Sequence, residues 1–249
     1  MIDARSTPTV AGAVGLGGAA AALYWGIGLA VTPPARYLLD PYLLWRVRTD
    51  RPAIALTFDD GPDPDYTERF LKALGGAPAT FFVLGERVRR WPGTVGRTIA
   101  AGCELGCHGD THKGLAWMPP RTTIRGLERA RAAIADVTGI PPRYYRPAYG
   151  YFNLAGWLAA PRLGMRRTLW SQWARDWEAS ATPELIAART LAGAKPGAIL
   201  LLHDSDGSPG APGRTLAALP AILAGLRDRG LEPVTLSQLV TGESPELED

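Results

Sequence analysis

The sequence predicts an α/β protein in which about seven parallel strands close into a barrel, preceded by an N-terminal hydrophobic helix. Three observations carry this. From residue 53 onward, short strand-like stretches alternate with stretches of helical period. The helical stretches stop at glycines, as at Gly75-Gly76, Gly139 and Gly230. Ahead of them lies a segment, Ser6–Ala35, with no charged residue. Strands that alternate with helices pair in parallel, because each helix carries the chain back across the sheet.

The strand candidates are Ala53–Phe58, Ala79–Val83, Cys103–Cys107, Arg143–Arg146, Arg166–Ser171, Ala198–Leu202 and Glu232–Thr235. The helical candidates between them include Tyr66–Leu74, Thr122–Val137, Pro183–Ala194 and Thr215–Arg229. The apolar stretch Val10–Val31 is long enough to cross a bilayer, which takes about 20 residues. Ala19–Ala22 could supply a signal-cleavage site, but the apolar run continues through Leu23, Tyr24, Trp25 and Ile27, which favours an uncleaved anchor. A buried Gly/Ala-rich helix is the alternative.

The expected organisation is an anchor or signal segment over 1–35, a juxtamembrane linker over 36–52, a catalytic domain over 53–240 and an acidic tail over 241–249. Arg36, Arg46, Arg48 and Arg51 follow the anchor and only Arg5 precedes it, so a count of positive charge would hold the domain in the cytoplasm. The function argued below needs it outside.

The chain has 27 basic and 24 acidic residues, a near balance that gives no electrostatic case for nucleic acid. No obligate protein partner is evident. In one extended strand, Cys103 and Cys107 would stand ~13 Å apart. A disulfide needs less than about 7 Å, so both are expected to be free.

The only histidines are His108, His112 and His203. His108-Gly-Asp-Thr-His112 would put two imidazoles on one side of a helical turn, as a metal pair requires; alone, such a pair is more often a surface feature. A Cys/His zinc site with Cys103 and Cys107 is a weaker alternative. Thr57-Phe-Asp59-Asp60-Gly-Pro62 follows an apolar strand, and adjacent carboxylates there call for a cation, although Asp-Gly-Pro also makes an ordinary turn. Position favours chemistry. Asp59, Asp60, His108, Arg146 and His203 all fall at ends of expected strands, with Asp176-Trp177 just beyond another. In α/β barrels the C-terminal ends of the strands carry the active site.

Thr57–Pro62, His108–His112, Arg146-Pro-Ala-Tyr-Gly150, Asp176-Trp177 and Leu201-Leu-His203 resemble, in order, the five motifs of the polysaccharide deacetylases. This is carbohydrate esterase family four, with the chitooligosaccharide deacetylase homology domain. The resemblance spans roughly Ala53–Val240 and implies a distorted (β/α) barrel of seven or eight strands.

It implies that Asp60, His108 and His112 bind a divalent metal, usually Zn²⁺, and that Asp59 is the general base, held ionised by Arg146. His203 would be the general acid, tuned by Asp176. The Tyr149 backbone N–H would help stabilise the oxyanion, while Trp177 and Leu201 wall the acyl pocket. Gly109 replaces a frequent Ser or Thr, Ala148 a frequent Pro, and Trp173 a frequent Asp, departures that bear on substrate choice.

The implied function is removal of N-acetyl or related acyl groups from amino sugars of a cell-wall or surface polysaccharide. Alternatives are deformylation or deacylation of a lipid-linked amino sugar or small amide, and a silent glycan-binding protein on the same fold. Tyr144, Tyr149, Tyr151, Phe152 and Trp157 could stack on sugar rings or pack the core. Arg87, Arg89 and Arg90 read as a solvated helix face.

Overall fold

A computed structural model describes residues 33–205 and 210–242. The anchor expected over 1–35 therefore lies almost wholly outside the described residues. Among those residues no helix is long and apolar enough to cross a membrane.

A short helix, α1 (Pro33–Leu38), leads to β1 (Ala53–Asp59), α2 (Thr67–Leu74) and β2 (Thr80–Val83). Two helices follow, α3 (Gly85–Arg90) and α4 (Pro92–Ala100), and then β3 (Glu104–Cys107). Next come α5 (Pro120–Thr138), β4 (Tyr144–Tyr145), α6 (Leu154–Arg162), β5 (Arg166–Arg167) and β6 (Gln172–Trp173). The chain continues through α7 (Pro183–Ala192), β7 (Ile199–His203), α8 (Ala211–Asp228), β8 (Glu232–Val234) and α9 (Leu236–Thr241).

Every pairing between these strands is parallel, in the order β5-β4-β3-β2-β1-β7-β6, with β8 paired to the start of β1. The central β1 is buried along its whole length, and its sequence is correspondingly an almost unbroken apolar run, as a strand covered on both faces must be. Phe58 stacks on Phe81 at 4.9 Å and meets Phe70 edge-on at 5.2 Å, tying β1 to β2 and to α2. Each such buried aromatic contributes ~1.5–3 kcal/mol by leaving water. Helix α5 stops at Gly139, whose φ of 72° is the left-handed conformation that glycine adopts without steric cost.

The barrel is not closed by strand pairing, because β5 and β6 do not pair with each other. The chain before β1 crosses this opening instead. Leu44 bridges Thr168 on one side, with Leu44 N–H donating to Arg167 O at 2.9 Å, and Arg46 bridges Ala198 on the other. Part of the stretch read as a linker is thus stitched to the sheet, with Leu43, Leu44 and Trp45 buried in the core.

The single strand expected over Arg166–Ser171 breaks after Arg167, and a separate β6 follows. Helices α3, α4, α6 and α9 were not among the expected ones. Each spans only six or nine residues, under three turns, too short for a helical period to stand out.

Candidate active site

The parallel register assembles the site. Asp59 and His203 are direct partners at the ends of β1 and β7. On the other side of β1, at the ends of β2, β3 and β4, His108 N–H donates to Val83 O at 2.9 Å, and Arg146 N–H donates to Cys107 O at 3.0 Å. Residues far apart in sequence so reach one rim, as expected.

Asp60, His108 and His112 converge. The Nε2 atoms of His108 and His112 lie 3.2 and 3.1 Å from Asp60 Oδ1, and the three donor atoms fall within 4.8 Å of one another. Asp60 Oδ1 is buried yet has no hydrogen-bond partner. Burial opposes ionisation of Asp60, but the imidazoles of His108, His112 and His203 hold its carboxyl well below the usual range. Two nitrogens and an ionised oxygen around one point are a donor set that fits a divalent cation.

The histidine pair is not helical, contrary to expectation. Both residues follow β3 in an irregular loop, where Gly109 turns the chain at a φ of 102°. That conformation favours glycine, and the turn leaves the two rings 24° from parallel at 5.7 Å. The cysteines play no part in the cluster. Both are free and buried, and burial raises their thiols to about 11 for Cys103 and about 12 for Cys107, away from the thiolate a metal needs.

Asp59 is fixed from behind. Arg146, wholly buried, donates from Nη1 to Asp59 Oδ1 at 2.6 Å and to Thr57 Oγ1 at 2.9 Å, and from Nη2 to Leu169 O at 3.0 Å. The Phe82 ring lies 3.9 Å from the guanidinium carbon. Burial lowers the Arg146 pKa, and the Asp59 charge opposes that fall. The other Asp59 oxygen lies 3.8 Å from His108 Nδ1. One carboxylate therefore stands between a permanent cation and an imidazole of the candidate metal cluster.

His203 is held by a second carboxylate. Asp176 Oδ1 accepts from His203 Nδ1 at 2.8 Å, and Oδ2 accepts from the His203 backbone N–H at 2.9 Å and from Thr215 Oγ1 at 2.7 Å. Burial would lower the His203 pKa, but Asp176, helped by Asp60 and Asp59, raises it to about 10. With Nδ1 committed to Asp176, Nε2 is the ring nitrogen left for the cavity that His203 lines.

That cavity has a volume of about 260 Å³ and is walled by Tyr149, Tyr151, Trp170, Trp173, Trp177 and Leu201. Trp177 stands edge-on to His203 at 5.5 Å. Among the described residues, three non-glycines have positive φ: Asp60, Tyr149 and Arg175. Two of them are site residues, where such strain concentrates.

Of the five aromatics expected near the rim, only Tyr149 and Tyr151 line the cavity. Phe152 is buried in the core, Tyr144 meets Ser237 of α9, and Trp157 packs under Arg167. Arg87 is also not simply solvated. It is partly buried, pairs with Asp63 and bonds Ser205.

Sequence reading assigned no role to Thr57, Asp204, Thr215 or Trp170. Thr57 opens the Thr57–Pro62 motif, and Asp204 directly follows His203. Asp204 is fully buried and accepts from Thr67 Oγ1 at 2.5 Å. Burial, against that hydrogen bond, raises its carboxyl to about 7. A Cβ on Gly61 would meet both Asp204 oxygens at 2.7 Å, so the turn after Asp60 needs glycine there. Thr215 and Trp170 sit in unremarkable sequence, and only the tertiary fold brings them to the site.

The family model described as polysaccharide deacetylase matches residues 46–168. A peptidoglycan-N-acetylglucosamine deacetylase of Bacillus cereus is 36% identical over 208 residues, covering 81% of this chain and 95% of that protein. The chain belongs to the polysaccharide deacetylase family. As a member it is a hydrolase acting on carbon–nitrogen bonds, and its named relatives are deacetylases of amino sugars.

A chitooligosaccharide deacetylase of Rhizobium leguminosarum bv. trifolii is 35% identical, over 74% of this chain and 90% of that protein. The peptidoglycan deacetylase PgdA of Listeria monocytogenes is also 35% identical, but the chain spans only 38% of its length. Among solved structures, a peptidoglycan N-acetylglucosamine deacetylase bound to a small benzamide shares 27% identity at a TM-score of 0.74, over 82% of this chain and 95% of that one.

Proposed function

We propose that this family member is a metal-dependent deacetylase of N-acetylated amino sugars in a cell-wall polysaccharide. The observation that carries the proposal is the convergence of Asp60, His108 and His112 beside the facing pair Asp59 and His203. Bound there, a divalent cation, zinc by its ligand chemistry, would polarise the acyl carbonyl and make water a better nucleophile near neutral pH.

The chain's own residues do the rest. Asp59, kept ionised and oriented by Arg146, takes the proton from the attacking water. The Tyr149 N–H donates to the oxygen that gains charge. His203 passes a proton from Nε2 to the departing amine, while Asp176 fixes its tautomer through Nδ1. Trp177 and Leu201 enclose the acyl methyl and exclude water from it. Peptidoglycan is the favoured substrate class because several relatives carry that activity in their names.

Acetate release from N-acetylated glycans by the full chain tests this reading. The purified protein should also hold about one divalent ion per chain, measured by elemental analysis, and lose both ion and activity to a chelator. Full turnover in protein shown to be metal-free would overturn the metal assignment.

The remaining proposal concerns placement. Residues 1–35 anchor the chain, and 53–240 form the catalytic domain outside the cytoplasm. A reporter fused after Asp249 should be active only outside the cytoplasm. Activity confined to the cytoplasm would reverse the orientation in favour of the positive-charge count.

A further inference from the structure

A second cavity, of about 210 Å³, lies behind one wall of the catalytic cavity: Ser171 and Gln172, between Trp170 and Trp173 of that wall, line it. Arg36, Tyr37, Trp45, Arg46, Gln172 and Lys195 line it. Its walls come from the stretch that bridges the opening, from the start of β6 and from the turn between α7 and β7. It therefore sits at the beginnings of the strands, whereas Asp59 and His203 sit at their ends.

The cavity holds three cations and no acidic side chain. Among the described residues no carboxylate forms an ion pair with Arg36, Arg46 or Lys195. Asp40 is engaged elsewhere, with Arg48 and with Trp45 Nε1. The two arginines are fixed by aromatic rings. The Arg46 guanidinium lies 4.4 Å from the Trp45 centroid and 5.4 Å from that of Tyr37, and Arg36 lies 5.4 Å from Trp45. Arg36 Nη1 is further held by Trp170 O at 2.8 Å. Such positioning removes much of the entropic cost of gathering like charges around an anion.

A second feature surrounds this cavity. Tyr37, Leu38 and Tyr42, on the same stretch, are 59%, 83% and 64% exposed. Two tyrosines and a leucine beside a cationic cluster match what a bilayer surface selects, aromatic rings at headgroup level and basic side chains against anionic lipid. The charge-free run Ser6–Ala35 leads directly into the stretch.

We infer that this face docks on an anionic phospholipid surface, with Arg36, Arg46 and Lys195 holding one headgroup phosphate while Tyr37, Leu38 and Tyr42 enter the interface. The docking face stands independently of the catalytic reading.

The test uses the full chain in neutral detergent micelles and reads the heat-unfolding midpoint. Short-chain phosphatidylglycerol should raise the midpoint by ~5 °C at about a hundredfold excess over its Kd, whereas phosphatidylcholine should not. The rise should vanish in the double variant Arg46→Gln/Lys195→Gln, whose deacetylation of a soluble substrate stays unchanged and shows that it is folded. Arg36 is left intact because it also holds Trp170. An equal rise with inorganic phosphate would replace the lipid by a soluble anion and overturn the proposal. So would an equal rise with phosphatidylcholine, no rise at all, or a rise that survives in the folded double variant.

Discussion

Replacing Asp59 by asparagine should lower turnover ~10²- to 10⁴-fold while the metal triplet stays filled. Asparagine keeps the shape and can still accept from Arg146, but it cannot take a proton from water. The proposed ligand set does not include Asp59, whose Oδ1 accepts from Arg146 at 2.6 Å. Stability should fall as well, because wholly buried Arg146 keeps an acceptor but loses its counter-charge.

The two effects separate in a cycle with Arg146→Met. That single variant strands the Asp59 charge and should be less stable than the double variant Asp59→Asn/Arg146→Met, while neither variant that lacks Asp59 recovers turnover. Metal content, unfolding midpoint and kcat measured on all four proteins decide it. Turnover retained in Asp59→Asn with metal still bound would assign the base to another group.

Much of the candidate site was legible in sequence because Asp59, Asp60, His108, Arg146 and His203 stand at or just beyond strand ends. A parallel sheet with residues at the same ends of its strands brings them together whatever the helices do. That is why Asp59, His108, Arg146 and His203 were placed on one rim even though strand boundaries were off by a residue or two. The local conformation of the His108–His112 loop was not legible. The spacing i, i+4 fits a helical turn, but Gly109 at a φ of 102° solves the same geometric problem without one.

The missing closure of the barrel was equally hidden. Tyr42–Val47 has the apolar and aromatic content of a strand, but its pairing with Thr168 and Ala198 depends on a gap that exists only once the sheet has curled. Thr215 illustrates the remaining limit. Its hydroxyl completes the Asp176 carboxylate from inside α8, and its sequence neighbours carry no sign of that partner.

The departures from the family pattern bear on the pocket wall. Trp173 stands where an acid is frequent, and it packs between Trp170 at 5.9 Å and Trp177 at 5.5 Å. Three indoles in a row make this wall apolar and rigid. A substrate lying along it presents a sugar face or an acyl methyl rather than a charged group.

His203→Ala should cut turnover about as severely as loss of the base, with the metal still bound. An amine leaves poorly unless protonated, and His203 Nε2 is the one histidine nitrogen facing the cavity from outside the Asp60, His108 and His112 triplet. The pH dependence gives this prediction its sign. An acid catalyst works while protonated, so the rate falls as pH rises through its pKa, and His203 sets the basic limb. Burial pulls that pKa down, but Asp176 first, then Asp60 and Asp59, pull it up to about 10 when no cation balances Asp60.

A cation held by Asp60 cancels part of that lift, so the limb should lie between ~6.5, the value of a free imidazole, and the higher figure. Asp176→Asn removes the largest raising influence and should move the limb toward lower pH without emptying the metal site. Thr215→Val, which takes one hydrogen bond from the same carboxylate, leaves Asp176 less well oriented and should lower turnover with a smaller change of limb. His203→Ala should abolish the limb altogether. If that variant instead loses its metal, His203 is a ligand rather than the acid. If the limb survives in it unchanged, another group delivers the proton.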